Sequence, residues 1–376
     1  MSIAILTQPL RENYGGIMQA YALQFVLRKM GHQAWTKDNY IEDTYIKRSW
    51  NLRIKNFIYD LIKEKRWTVT DLTAARPFTG PFINAHIKLF VSLRNQAGEI
   101  LLPDGFDGCV VGSDQVWRPA YNPRLYDFFL DFTKDTHIKR IAYAASFGSD
   151  EWEFTPEQTA YCASLLKKFD AVSVREQTAV QLCKEHFGVD AVQVLDPTLL
   201  LTHGDYLSLI QNKPSKKREK YVMAYVLDMD PEKYNIMREI SEALQCKGKL
   251  ITITPDNQKK GWDNYENQYH LSVERWLAHF YQASYVITDS YHGCIFAILF
   301  HKPFVAIDNK VRGSSRFHSL LGLLGLQDRL VNSYNDFLNK KEVLLLHPDY
   351  DCINSILKIK QAESIHFLQD ALMPTE

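Results

Sequence analysis

Short apolar runs alternate with stretches of helical period along nearly the whole chain, the rhythm of a parallel sheet with helices on its faces. Ile3 to Leu6, Cys109 to Val111, Arg140 to Ala145 and Ala171 to Val174 read as buried strands, while Ile17 to Met30, Pro156 to Lys168 and Gln177 to Glu185 read as helices. The rhythm restarts at Tyr221 to Leu227 and runs through Pro231 to Gln245, Leu250 to Thr254, Ser272 to Gln282, Tyr285 to Thr288, Tyr291 to Leu299 and Pro303 to Ile307. A restart of this kind implies two α/β domains. Between them Asn212 to Lys220, NKPSKKREK, has no apolar residue except Pro214 and reads as a linker. The expected division is a first domain over 1–205, a second over 206–350 and a tail over 351–376. In the tail Ile353, Ile356, Leu357, Ile365 and Leu368 have helical spacing, and we expect it to cross back to the first domain. The cleft between the halves is the expected ligand site.

One stretch interrupts the first domain. Over 46–67, IKRSWNLRIKNFIYDLIKEKRW, apolar residues at 50, 54, 57, 58 and 61 share one helical face, and seven Lys/Arg stand against two Asp/Glu. Such a helix either packs on its own domain with a solvated basic rim or rests on anionic lipid headgroups. The rest of the chain is not basic. Across 376 residues 44 Lys+Arg balance 44 Asp+Glu, so no overall polycation exists to hold a nucleic-acid backbone, and nucleic acid is not an expected partner. The nearest two of the six cysteines, Cys162 and Cys183, lie 21 positions apart, which leaves no CxxC pair or zinc knuckle and favours a reducing compartment. HExxH and GxSxG are absent, so neither a metal site nor a serine-hydrolase elbow is expected. The opening residues carry no basic start, and no apolar stretch is long enough to span a membrane. The expected location is the cytoplasm, with at most peripheral contact at the inner face of the cell membrane.

Candidate chemistry gathers where strands turn into helices. Asn13-Tyr14-Gly15-Gly16 joins the first strand to its helix, and its backbone N–H groups suit an anion or a sugar hydroxyl, or serve only a tight turn. Ser113-Asp114-Gln115 follows a strongly apolar strand at the carboxyl edge of the sheet, where Asp114 either orients or deprotonates a hydroxyl or caps a turn. Arg175 stands at a helix start, where guanidinium and helix dipole together suit a carboxylate or phosphate unless Glu176 occupies the arginine. The densest group is Thr288-Asp289-Ser290-Tyr291-His292-Gly293, with an imidazole able to move protons near neutral pH; His292 is the leading catalytic candidate. Arg312-Gly313-Ser314-Ser315-Arg316 has the composition of a phosphate clamp, or of a solvated loop.

Six blocks in order, NYGGIMQAYALQFVLRKMGH, VVGSDQVWRPAYN, RIAYAASFG, AVSVRE, VLDPTLLL and TDSYHGCIFAILFHKPFVAI, resemble the polysaccharide pyruvyl transferase family over roughly residues 1 to 330. The resemblance implies two Rossmann-like domains with a central cleft, similar to GT-B glycosyltransferases. It also implies transfer of pyruvate from phosphoenolpyruvate, as co-substrate and without a cofactor, to two hydroxyls of a sugar on a lipid-linked polysaccharide precursor, with release of phosphate. On that reading Arg175 and His292 form the donor-site pair, joined by Ser290, Gly293, Arg312 and Arg316. Asp289 orients His292 or binds sugar. Asp114 with Asn13, Tyr14, Gly15, Gly16, Ser113 and Gln115 faces the acceptor. Many relatives carry arginine directly after the aspartate of the last block, where this chain has Ser290, so Arg312 or Arg316 is the expected substitute, unless this branch uses another donor or has lost activity. The competing readings are a nucleotide-sugar glycosyltransferase and a non-catalytic carbohydrate-binding component of polysaccharide assembly.

Overall fold

The computed structural model describes residues 1–38, 76–96, 98–210, 220–252, 266–309 and 312–373. The basic segment 46–67 and nearly all of 212–220 lie outside the described residues. Fifteen strands are described: β1 Ser2–Leu6, β2 Gln33–Lys37, β3 Leu89–Phe90, β4 Leu93–Arg94, β5 Ile100–Leu101, β6 Gly108–Val111, β7 Lys139–Ala145, β8 Ala171–Val174, β9 Val192–Gln193, β10 Tyr221–Tyr225, β11 Lys247–Thr252, β12 Glu266–Tyr269, β13 Tyr285–Thr288, β14 Phe304–Ile307 and β15 Leu330–Val331.

They form two parallel sheets, β3-β2-β1-β6-β7-β8-β9 and β12-β11-β10-β13-β14-β15, beside a β4-β5 hairpin. The central strands β6, β10, β13 and β14 are buried at every position, which is why they read as unbroken apolar runs rather than alternating ones. Edge strands such as β9 and β15 are two residues long and show no sequence period. The chain is α/β with two Rossmann-like domains.

Helix α1 (Tyr14–Lys29) is buried on nearly every side because side chains of both domains pack around it. Ile17, Met18 and Tyr21 belong to one apolar cluster with Trp276, Phe280 and Phe296 of the second domain. The Tyr14 ring stacks on Trp276 at 5.2 Å, and its hydroxyl donates to the Leu271 carbonyl at 2.8 Å. The last helix, α2 (Tyr350–Ala371), begins against the second domain, where Tyr350 stacks on His301 at 4.7 Å. It ends against the first, where Leu195 N–H donates to Ser364 Oγ at 3.0 Å. Near the cleft Gly313, at φ +104°, crosses so close to the first domain that a Cβ there would lie 1.9 Å from the Gly148 carbonyl oxygen. The cleft is therefore walled by two domains sharing one packed core.

Candidate active site

Strand order reverses between β1 and β6 in the first sheet and between β10 and β13 in the second, and the crevice outside the strand ends at such a reversal is where open α/β sheets bind ligands. Here the two crevices face each other. From the first come Asn13 and Asp114; from the second come Asp289, Ser290 and His292. The second turn is tight for a chemical reason. Ser290 caps the helix Tyr291–Leu299, its Oγ accepting from Gly293 N–H at 3.4 Å, while its own N–H donates to Thr288 Oγ1 at 3.1 Å. This places His292 in the first helical turn, directly against Gly15.

A Cβ on Gly15 would lie 2.1 Å from His292 Nδ1, far inside contact distance. Gly15→Ala must therefore displace the imidazole. We expect about a 10²-fold loss of kcat with little change in melting temperature, because misplacement near 1 Å costs that much; full activity in this variant would show that His292 tolerates movement.

Behind His292 lies a buried charge cluster centred on Asp196. One of its oxygens, Oδ2, accepts from Arg175 Nη1 at 2.9 Å and Gln19 Nε2 at 2.5 Å, and stands 3.7 Å from His292 Nε2. The other accepts from the Thr198 N–H and hydroxyl at 3.0 and 2.6 Å. Burial opposes a charge on Asp196, yet His292, Arg175 and Thr198 hold its carboxyl far below the usual carboxylate range. Arg175 also pairs with Glu176 at 2.9 Å and lies 4.5 Å from the centre of the Tyr291 ring. Burial works against its charge as well, and Glu176, Tyr291 and Asp196 more than offset this. Arg316, centred 5.6 Å from the same ring, differs: it is 7% exposed, donates to the Arg312 carbonyl, and has no ion-pair partner among the described residues. Burial and the neighbouring Arg175 push its pKa down.

The open space is a cavity of about 300 Å³ lined by Asn13, Asp114, Gln115, Ser290, His292 and Arg316, together with Glu12, Tyr121, Tyr225, Leu227, Asp289, Tyr291 and Arg312. The profile of the polysaccharide pyruvyl transferase family matches residues 13–311, a span that includes these groups except Glu12, Arg312 and Arg316. The chain belongs to the polysaccharide pyruvyl transferase family. No curated protein sequence matches it. Among solved structures it is similar to a putative UDP-N-acetylglucosamine 2-epimerase from Listeria monocytogenes, at TM-score 0.50 and 12% identity over 100% of this chain and 98% of that one. It also matches the glycotransferase of kitacinnamycin, at TM-score 0.46 and 13% identity over 99% of both chains. At such identities the likeness is one of fold, the two-domain GT-B-like arrangement.

Several residues of this pyruvyl transferase do not stand where the motifs suggest. Asp289 does not orient His292. Its Oδ1 accepts from Leu227 N–H at 2.6 Å and its Oδ2 from Asp228 N–H and Lys233 Nζ, each at 3.1 Å, so it ties down the turn after β10; burial raises its pKa. The carboxylate beside the imidazole is Asp196, which the sequence presents only as an Asp-Pro turn. Its one signal is a lone acid inside the apolar run VLDPTLLL. Arg175 stands one layer back from the cavity, 3% exposed, joined to His292 through Asp196. Ser113 is also behind the wall, donating to the Ala144 carbonyl at 3.0 Å. Tyr14 is spent on Trp276, and Gly293 is small because a Cβ would lie 2.0 Å from Thr288 Oγ1. Gly16 N–H is taken by the Asn13 cap at 3.3 Å. Arg312 is held by Asp228 at 2.6 and 3.0 Å, and in return holds that carboxyl down to about 2. Among the described residues no three His, Cys, Asp or Glu side chains are grouped to hold a metal ion, and no helix is long and apolar enough to cross a membrane.

Proposed function

We propose that this pyruvyl transferase takes its pyruvyl group from phosphoenolpyruvate and closes it as a cyclic ketal on two hydroxyls of one sugar, releasing phosphate. The observation that carries this reading is Arg316: a guanidinium buried at the cavity that makes no ion pair among the described residues, its Nε without a hydrogen-bond partner there, with only the more distant charges of Asp114 and Glu176 to favour it. A buried unpaired cation is costly, and a bound anion removes that cost. The helix from Tyr291 directs its N-terminus at the same space. Arg316 thus supplies a cation at the cavity that Ser290 also lines.

His292 delivers a proton to C3 of the enol, C2 becomes electrophilic, and a sugar oxygen adds there. The C2–O bond to phosphate then breaks with its electron pair leaving on the phosphate, and the second hydroxyl closes the ring. Two hydroxyl protons are lost; one ends on C3 and one on phosphate. His292 and Asp114, both lining the cavity, relay them. The sugar belongs to a lipid-linked polysaccharide precursor at the membrane surface, a reading supported by the basic amphipathic sequence of 46–67.

The test is phosphate release from phosphoenolpyruvate in the presence of sugar diols, with the pyruvyl adduct read by mass spectrometry and UDP-sugars run in parallel. Arg316→Met should raise KM for phosphoenolpyruvate by about 10-fold or more, the value of a hydrogen bond to a charged group. Cleavage of a UDP-sugar without phosphoenolpyruvate consumption rejects the reading.

A further inference from the structure

Phosphoenolpyruvate and one sugar are small enough to share the cavity of about 300 Å³, yet cavities of about 570 and 730 Å³ adjoin it and have no occupant in that reaction. Tyr121 lines all three. It is 45% exposed, although it stands where the two domains meet. Its base is rigid. Tyr121 closes the 3-10 turn Pro119–Tyr121, and the next residue, the buried Asn122, donates to the carbonyls of Gln115, Val116 and Arg118 at 2.8 to 3.0 Å. Arg118 covers the ring with its guanidinium 4.3 Å from the centre, and is itself pinned by Glu153 at 2.9 Å and Gln115 Oε1 at 3.2 Å.

An aromatic face with fixed orientation, flanked by amide and carboxylate side chains, matches one kind of ligand. A pyranose presents C–H groups on its ring face and hydroxyls around its edge, so the electron-rich face of a phenol takes the first and polar side chains take the second. Gln8 on one side, and Asp230 and Asn332 on the other, supply such polar groups. We infer that Tyr121 is an aromatic platform that seats a sugar adjacent to the reacting one, so that the protein selects an oligosaccharide over a single sugar. The identity of the reacting sugar's cavity rests on the pyruvyl-transfer reading; the stacking itself does not.

The experiment measures binding without phosphoenolpyruvate, on a printed array of linear mono- to hexasaccharides of glucose, galactose and mannose, followed by calorimetry on the best series. Wild-type protein should bind a trisaccharide of that series about 3- to 10-fold more tightly than its monosaccharide, the range expected of one aromatic contact. Tyr121→Ala should lose that gain with its melting temperature kept, and Tyr121→Phe, which retains the ring, should preserve it. Equal affinity of wild type and Tyr121→Ala for every oligosaccharide, or no chain-length gain in any series, overturns the inference. A protein that gains affinity through Tyr121 but never consumes phosphoenolpyruvate keeps this inference and loses the pyruvyl-transfer reading.

Discussion

His292→Ala should lower kcat by about 10²- to 10⁴-fold at saturating phosphoenolpyruvate, the usual contribution of a positioned acid or base. The imidazole is 6% exposed, its Nε2 has no hydrogen-bond partner among the described residues, and it is wedged between Gly15 and Asp196. That placement gives it one edge toward a fixed carboxylate and leaves its orientation to packing, the condition under which a proton relay keeps its aim through a multi-step reaction. Truncation removes contacts from a helix start whose strand and cap are otherwise intact, so the far-UV spectrum and melting transition should stay close to wild type. Turnover within a few-fold of wild type would take His292 out of the chemistry and leave Asp114 as the proton carrier.

Asp196→Asn should cost about 3–5 kcal/mol of stability, the range for breaking a buried ion pair by removing one partner. Arg175 would keep Glu176 but lose the partner that shares its charge with His292, and the Thr198 contacts would be weakened. Denaturant unfolding reads the loss directly. The pH dependence has a definite sign, because the folded Asp196 carboxyl titrates far below its unfolded value of about 3.9. Its stabilisation is fully present above that unfolded value and fades as pH falls toward the folded one. Wild type should therefore lose stability more steeply below about pH 4 than Asp196→Asn does. Parallel acid profiles for the two proteins would show that Asp196 is not held charged by its neighbours. Activity should fall as well, since Asp196 is the carboxylate nearest the imidazole.

Much of the architecture is legible without coordinates. Strands such as Tyr285–Thr288 and Phe304–Ile307 are buried on both faces, so their apolar runs announce them, and the chemistry after each run falls at a sheet edge because the chain must turn there. The positions of Asp114, Ser290 and His292 follow from that local logic. The short edge strands β9 and β15 do not, since two residues carry no period.

What a motif at a strand exit cannot reveal is which of its polar groups points at which neighbour. Asp289 lies three residues from His292, yet serves the turn after β10, while Asp196, almost a hundred residues away, stands beside the imidazole. Likewise Arg312 and Arg316 lie four residues apart, but one is matched to Asp228 while the other, in the first turn of the helix Ser315–Leu323, makes no ion pair among the described residues. The amino-acid sequence by itself determined the two α/β layers, the family and the strand ends that carry the polar residues, because hydrophobic period and tight turns are local properties. Only the tertiary structure decided the partners of Asp196, the burial of Arg316 and the meeting of three cavities at Tyr121. Those depend on how two separately wound sheets dock through α1, and docking brings together atoms that no spacing along the chain relates.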